Sequence, residues 1–217
     1  MGDDQLERAY LVTYSLSNLL TYYHLQGLAA MKILFDKGTL HRGVADMAAK
    51  IEKAYEGRQL TIVGVLTGSV VLLADLIRLI EQPMRVGVIQ ASSYRGATTE
   101  RGDLINNSAV MLDIAGRDVL LVDDVYDSGH PLENVVEKLH EFGPKSVKSA
   151  VLLRKKGRQE SEYVPDFTAF DIPDEFVVGY GLDYEDMYRN LPYLAALEQE
   201  DLDHHEQMNQ ETHVMKL

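Results

Sequence analysis

The run Val119-Leu120-Leu121-Val122-Asp123-Asp124-Val125-Tyr126-Asp127-Ser128-Gly129-His130-Pro131-Leu132 constrains the fold of this chain more than any other segment. Four successive branched apolar residues read as a strand buried on both faces, the signature of a parallel sheet interior. Two acids follow where that strand is expected to end, a Ser-Gly turn comes next, and the apolar spacing predicts an amphipathic helix over 131–142. Backbone N–H groups in such a turn, at the positive end of a helix, hold an anion without a dedicated lysine or arginine. Acids beside such a cradle need a different role: binding sugar hydroxyls, holding a divalent cation, or accepting a proton. A single acid is equally well explained as a favourable charge at a helix N-terminus. Three aspartates within five residues, closed by Ser128-Gly129, point instead to a ligand that is both phosphorylated and hydroxylated.

The rest of the chain supplies a sheet around that strand. Val44, Met47, Ala48, Ile51 and Ala54 mark a helix over 40–55. Residues 61–66 are a buried strand, 67–69 a turn, 70–80 a helix with Asp75 and Arg78 on its wetter side, 85–92 a strand, and 146–153 another. This alternation favours an α/β fold with a mostly parallel central sheet flanked by helices, whose ligands gather at the carboxyl ends of the strands. Thr67-Gly68-Ser69 and the aspartate turn both lie at such ends. The polar, glycine-bearing segment 93–103 suits a mobile lid and an ordinary surface hairpin equally well. Leu6, Tyr10, Tyr14, Leu16, Leu19, Leu20 and Tyr23 suggest a helical extension over 1–30, and Met31 is a plausible alternative start. The polar, acidic stretch 198–217 is expected to be a disordered tail.

Composition narrows the function. At 217 residues, with no Pro/Gly/Ser-rich linker, one compact domain is expected. A formal charge of −13 argues against a general nucleic-acid surface, though local groups can reverse the field inside one cleft. No apolar stretch approaches the roughly 18 residues of a spanning helix, and the acidic start Met1-Gly2-Asp3-Asp4 does not resemble a secretory signal. The absence of cysteine is compatible with a reducing cytosol, so a soluble cytoplasmic protein without nucleic-acid or membrane partners is expected. Neither GxGxxG nor GxxxxGK[ST] occurs, and His204, His205 and His213 lack metal-ligand companions at a recognised spacing.

An apolar strand, two acids, two variable residues, then Asp-Ser-Gly and a helix resemble the signature of the type I phosphoribosyltransferases. A second stretch runs Asp171-Ile172-Pro173-Asp174-Glu175-Phe176-Val177-Val178-Gly179-Tyr180-Gly181-Leu182-Asp183-Tyr184, followed by Tyr188-Arg189-Asn190-Leu191-Pro192. It is similar to the purine-binding end of the hypoxanthine (or hypoxanthine-guanine) phosphoribosyltransferases, and the resemblance runs from about Leu40 to about Leu197. It implies a type I phosphoribosyltransferase fold over 31–197, with a small hood built near the two ends and a flexible loop that closes as a lid. It implies transfer of a phosphoribosyl group from 5-phosphoribosyl 1-diphosphate to hypoxanthine, and to guanine, with Mg²⁺, in a homodimer or homotetramer. Two rivals stay open: a non-catalytic nucleotide-binding regulator of the same fold, and an enzyme preferring xanthine.

The resemblance also assigns roles. Asp127 is implied as the acid that takes or holds the purine proton, a role compatible with capping the helix. Asp123 and Asp124 contact the ribose hydroxyls directly or through Mg²⁺; neighbouring strand residues face opposite ways, so one of the two suffices. Asp183 is a Mg²⁺ ligand, or a plain loop acid; Arg189, Thr67 and Gly68 contact the diphosphate, and Ser93 and Tyr94 belong to the lid. Lys155 donates to the 6-oxo group, where the basic run around it otherwise reads as a solvated face. Phe176 stacks on the base, where it otherwise reads as core, and the Val177 backbone reads the base edge. Ser128, Gly129 and His130 cradle the 5′-phosphate. Two positions depart from the pattern. Thr67 stands where many relatives carry lysine, and Pro131 replaces a threonine, removing a hydroxyl and an N–H. Proline suits the first turn of a helix, but a lost bond to a charged group weakens binding by about 1.5–3 kcal/mol unless His130 compensates.

Overall fold

Five strands pair in parallel, in the order β3-β2-β4-β5-β6, in the computed structural model, which describes residues 31–90 and 112–198. They are β2 (Leu60–Leu66), β3 (Arg85–Gln90), β4 (Asp118–Tyr126), β5 (Ser146–Lys155) and β6 (Phe167–Ile172). A second sheet, in the order β1-β8-β7, joins β1 (Lys32–Phe35), β7 (Val177–Val178) and β8 (Leu194–Ala196), the segments expected to make the hood. Three helices are described: α1 (Lys37–Ala54), α2 (Val70–Leu79) and α3 (His130–His140). The chain divides into two compact units, Ile33–Ala195 and a second made of Met1–Lys32 with Ala196–Leu217. The expected extension 1–30, the lid with Ser93 and Tyr94, and the tail beyond Glu198 lie outside the described residues.

The strand that the sequence singles out is the middle of the larger sheet. Val119, Leu120, Leu121 and Val122 are all fully buried, with β2 on one side and β5 on the other. Because side chains alternate along a strand, Leu120 and Val122 join one apolar cluster with α1 and α2, while Val119 and Leu121 join a second with α3. Helices therefore cover both faces, and each such residue contributes about 1.5–3 kcal/mol of burial. The Tyr55 hydroxyl, at the end of α1, donates to the Val119 carbonyl at 2.9 Å. Its buried polar end is thereby satisfied, and burial pushes its phenol well above the usual range.

Several boundaries differ from the sequence expectation. β4 does not end at Val122 but runs to Tyr126, so Asp123 and Asp124 lie within the strand. The reason is pairing: β5 extends to Lys155, past the expected 153, and its Val151, Leu153 and Arg154 face Asp123, Val125 and Tyr126. α1 begins at Lys37 because Asp36 caps it, accepting from the Thr39 N–H at 2.6 Å. α3 begins at His130, one residue before the proline, and ends at His140 rather than 142; Gly143 follows at φ 68°. Arg78 is exposed as expected, but Asp75 on the same helix is not simply wet, because it accepts from the Tyr180 hydroxyl as well as pairing with Arg78. β6 was not anticipated as a strand; it supplies the outer edge of the sheet and packs on α1.

That last packing is tight. The rings of Phe35 and Phe170 stack with centroids 4.5 Å apart, and a Cβ built on Gly43 of α1 would fall 2.1 Å from the Phe170 ring. Gly43→Ala is expected to overpack this contact and cost about 1–3 kcal/mol. A lower thermal unfolding midpoint with unchanged far-ultraviolet circular dichroism would be the observed outcome.

Candidate active site

The carboxyl ends of β2, β4 and β5 place the aspartate turn beside a cluster of charged side chains. Asp127 follows β4 directly, and because Tyr126 pairs with Arg154, the next residue of β5, Lys155, comes beside it. Lys155 Nζ lies 3.4 Å from Asp127 Oδ2, with a side chain only 13% exposed. Arg158 follows the turn at Gly157, whose φ is 81°, and its Nε stands 3.1 Å from Asp127 Oδ1. That approach is an ion pair without aligned hydrogen-bond geometry, and Oδ1 is buried with no aligned donor among the described residues. A buried acceptor whose nearest donor is misaligned is an unusual feature of a folded protein and keeps capacity for a ligand donor.

Asp123 and Asp124 carry the second group. The Asp124 N–H donates to Asp123 Oδ1 at 2.9 Å and the Val125 N–H to Asp124 Oδ1 at 2.7 Å. Burial raises both carboxyls above the usual range; the neighbouring charge of Asp124 adds to the rise at Asp123, and the Val125 N–H opposes it at Asp124. Two partly buried carboxylates side by side resist carrying two charges unless a cation joins them. The Asp124 carboxylate fills the space over Gly68, where a Cβ would fall 1.6 Å from Oδ2, so no larger residue fits there. Gly181 in turn abuts the Gly68 carbonyl, and Arg189 Nη1 donates to the Gly181 carbonyl at 2.9 Å. Arg189 Nη2 also lies 2.9 Å from Asp183 Oδ1. Thr67, Gly68, Asp124, Asp183 and Arg189 are thus brought onto one side of the site by contacts between segments far apart in sequence. Thr67 is exposed in the turn after a cis Leu66-Thr67 peptide.

The Ser128-Gly129 turn is held from outside. Gly129 adopts φ 95° and caps α3, a conformation that favours glycine. The Ser128 carbonyl accepts from the N–H groups of Glu160 and Ser161, at 2.9 and 3.1 Å, which ties the turn to the segment after β5. Pro131 sits in the first turn of α3 without disrupting it. The compensating role expected for His130 meets an obstacle. Its imidazole is exposed and lies 3.7 Å from both Glu133 and Glu160, carboxylates that compete with a phosphate for it.

In the segment expected to meet the base, Phe176 is 47% exposed and is not a core residue, contrary to the expectation from residue type alone. Its ring meets Tyr184 edge-on at 5.4 Å, leaving a face for stacking. Val177 is buried in β7. Arg154 and Lys156 pair with Asp171 on the face opposite Lys155, so the basic run divides by strand alternation. Sequence reasoning missed Arg158 and Asp174. Period-two alternation separates Lys155 from its neighbours, but it gives no direction to a residue beyond a glycine turn. Among the described residues no three histidine or acidic side chains converge as a metal cage. The available donors are carboxylate oxygens, the kind Mg²⁺ prefers when it keeps waters and substrate oxygens.

Comparison with known proteins agrees with this geometry. The family described as "Phosphoribosyl transferase domain" matches residues 31–185. A hypoxanthine-guanine phosphoribosyltransferase of Streptococcus pneumoniae is 38% identical over 169 residues, 78% of this chain and 94% of that protein. A hypoxanthine phosphoribosyltransferase of Haemophilus influenzae is 37% identical over 168 residues, covering 76% of this chain and 94% of the relative. Among solved structures, the hypoxanthine phosphoribosyltransferase of Trypanosoma cruzi superposes with a TM-score of 0.76 at 30% identity, over 82% of this chain and 97% of that one. A central parallel sheet with acids at its carboxyl end, and relatives of this similarity along nearly their whole length, place the chain in the hypoxanthine(-guanine) phosphoribosyltransferase family of type I phosphoribosyltransferases.

Proposed function

We propose that this protein joins hypoxanthine, and guanine, to the phosphoribosyl group of 5-phosphoribosyl 1-diphosphate, forming IMP or GMP and releasing pyrophosphate. The observation that carries the reading is Asp127, with one buried oxygen open to a donor and the other 3.4 Å from Lys155. An oxopurine offers the complementary pair of groups, an N–H for Asp127 and a 6-oxo acceptor for Lys155. Adenine would face the lysine with an amino group, leaving two donors opposed. Phe176 supplies the stacking face and Val177 the backbone beside it.

The remaining residues serve the sugar and its two phosphate ends. Asp123 and Asp124 hold the ribose hydroxyls as the anomeric carbon gains positive charge. Ser128 and Gly129, at the positive end of α3, hold the 5′-phosphate. Gly68 and Arg189 receive the diphosphate, and Arg189 neutralises charge as it leaves. Asp127 takes the base proton as the purine nitrogen attacks. Mg²⁺, held by Asp183 or by the Asp123 and Asp124 pair together with diphosphate oxygens, would add neutralisation of the leaving group. The proposal includes a domain from residue 31 to 197, a lid bearing Ser93 and Tyr94, a cytoplasmic setting and a homodimer or homotetramer, all as the family resemblance implies. No helix of the described residues is long and apolar enough to cross a membrane.

Pyrophosphate release by the purified protein, compared across hypoxanthine, guanine, xanthine and adenine, tests the reading directly. Release with neither hypoxanthine nor guanine would sink it. Asp127→Asn is expected to lower kcat by about 10²–10⁴. Lys155→Gln should raise KM for hypoxanthine about tenfold to a hundredfold, the loss of one charge-assisted bond, and narrow the preference over adenine. Chelation of divalent cations should abolish turnover. Asp183→Asn should shift the Mg²⁺ dependence to higher concentration, read from initial rates across a Mg²⁺ titration.

A further inference from the structure

The charged cluster behind Asp127 closes into a ring. Lys155 Nζ lies 3.4 Å from Asp127 and 3.6 Å from Asp174, while Arg158 lies 3.1 Å from Asp127 and 3.2 Å from Asp174. Two cations alternate with two carboxylates, so neither Lys155 nor Arg158 belongs to Asp127 alone. The geometry of Arg158 shows how its capacity is divided. Its Nη1 donates to the Asp174 carboxylate, whereas its Nε, paired with Asp127 Oδ1 at 3.1 Å, is not aligned for a hydrogen bond there. Lys155 is likewise drawn from both sides, and its ammonium stays between the two acids.

We infer that Asp174 is a positioning residue for the reaction: it holds Lys155 and Arg158 away from full engagement with Asp127, so that Asp127 Oδ1 stays open for the purine N–H and Lys155 stays available to the 6-oxo group. The inference rests on the roles proposed for Asp127 and Lys155. Its physical basis is competition for donors. A carboxylate with both oxygens in charge-assisted bonds is a weaker proton acceptor, and a lysine committed to it is a poorer donor to substrate. Without the Asp174 charge, two cations would face one acid, and both would collapse onto Asp127. Among the described residues, the ion pairs of Asp174 are with Lys155 and Arg158, on the side of the site away from Arg189 and Gly68. The effect should therefore reach the base and its proton, not the sugar diphosphate.

The test is steady-state pyrophosphate release by Asp174→Asn, Asp174→Glu, Arg158→Gln and the double variant Asp174→Asn/Arg158→Gln, with Asp127→Asn alongside. Asp174→Asn is expected to lower kcat with hypoxanthine about tenfold, within the range of weakened acid–base catalysis, and to raise KM for the base, while KM for 5-phosphoribosyl 1-diphosphate stays unchanged. Asp174→Glu, which keeps the charge, should recover most of the loss. The double variant should be faster than Asp174→Asn, because the cation that would collapse onto Asp127 has gone. A merely structural role predicts the reverse, with the double variant slower still and both KM values disturbed. Wild-type kcat in Asp174→Asn, or a double variant no better than the single, would overturn the inference. If Asp127→Asn itself turns over normally, the reading of Asp127 falls and the inference with it; if only Asp127→Asn is impaired, the inference alone falls.

Discussion

Burial of β4 between β2 and β5 is the constraint on which the rest of this structure depends. The strand is too apolar over Val119–Val122 to stay at an edge, and its pairing on both sides fixes the register of everything that follows it. A one-residue slip against β5 would turn every side chain to the other face. With the observed register, Tyr126 opposes Arg154, so Asp127 and Lys155 emerge side by side where the sheet ends. The position of the proposed proton acceptor is thus a consequence of core packing several residues away.

The same sheet explains how an acidic chain can handle anionic ligands. A net charge of −13 belongs to the whole molecule, but the site draws on local sources: Lys155, Arg158, Arg189 and the N–H groups at the start of α3. The aspartates are not surplus charge in that setting. Asp127 and Asp174 share two cations, and Asp183 is paired with Arg189, while Asp123 and Asp124 stand together with no ion pair among the described residues. It is this last pair, partly buried and pushed toward the protonated form, that is proposed to take a divalent cation or sugar hydroxyls.

The turn proposed for the 5′-phosphate shows a different balance. Pro131 removes a donor, and His130 stands between Glu133 and Glu160. What remains is backbone: Gly129 at positive φ opening the helix, and a Ser128 carbonyl braced by the segment after β5. A cradle made of peptide groups tolerates side-chain replacement better than one made of lysines and hydroxyls, because its donors are positioned by chain geometry rather than by residue type.

How much of this was legible in the sequence follows from the range of each interaction. Buried strands, the glycine turn and the helix after it are local patterns, and Val119–Val122, Ser128-Gly129 and the apolar spacing of α3 announce them without tertiary help. The length of β4 was not legible, because Asp123 and Asp124 are poor strand residues, carried in the strand by the pairing of Asp123, Val125 and Tyr126 with β5. Phe176 reads as core from its type, and only its surroundings leave it half exposed. Arg158 and Asp174 are charged residues in polar segments, ordinary by any local measure; a turn and an edge strand bring them together around Asp127. The sequence by itself therefore determined the buried strands β2 to β5, though not all their ends, and the Ser128-Gly129 turn with the helix after it. Only the tertiary structure decided which charges face one another, since ion pairing depends on distances across strands that local periodicity does not encode.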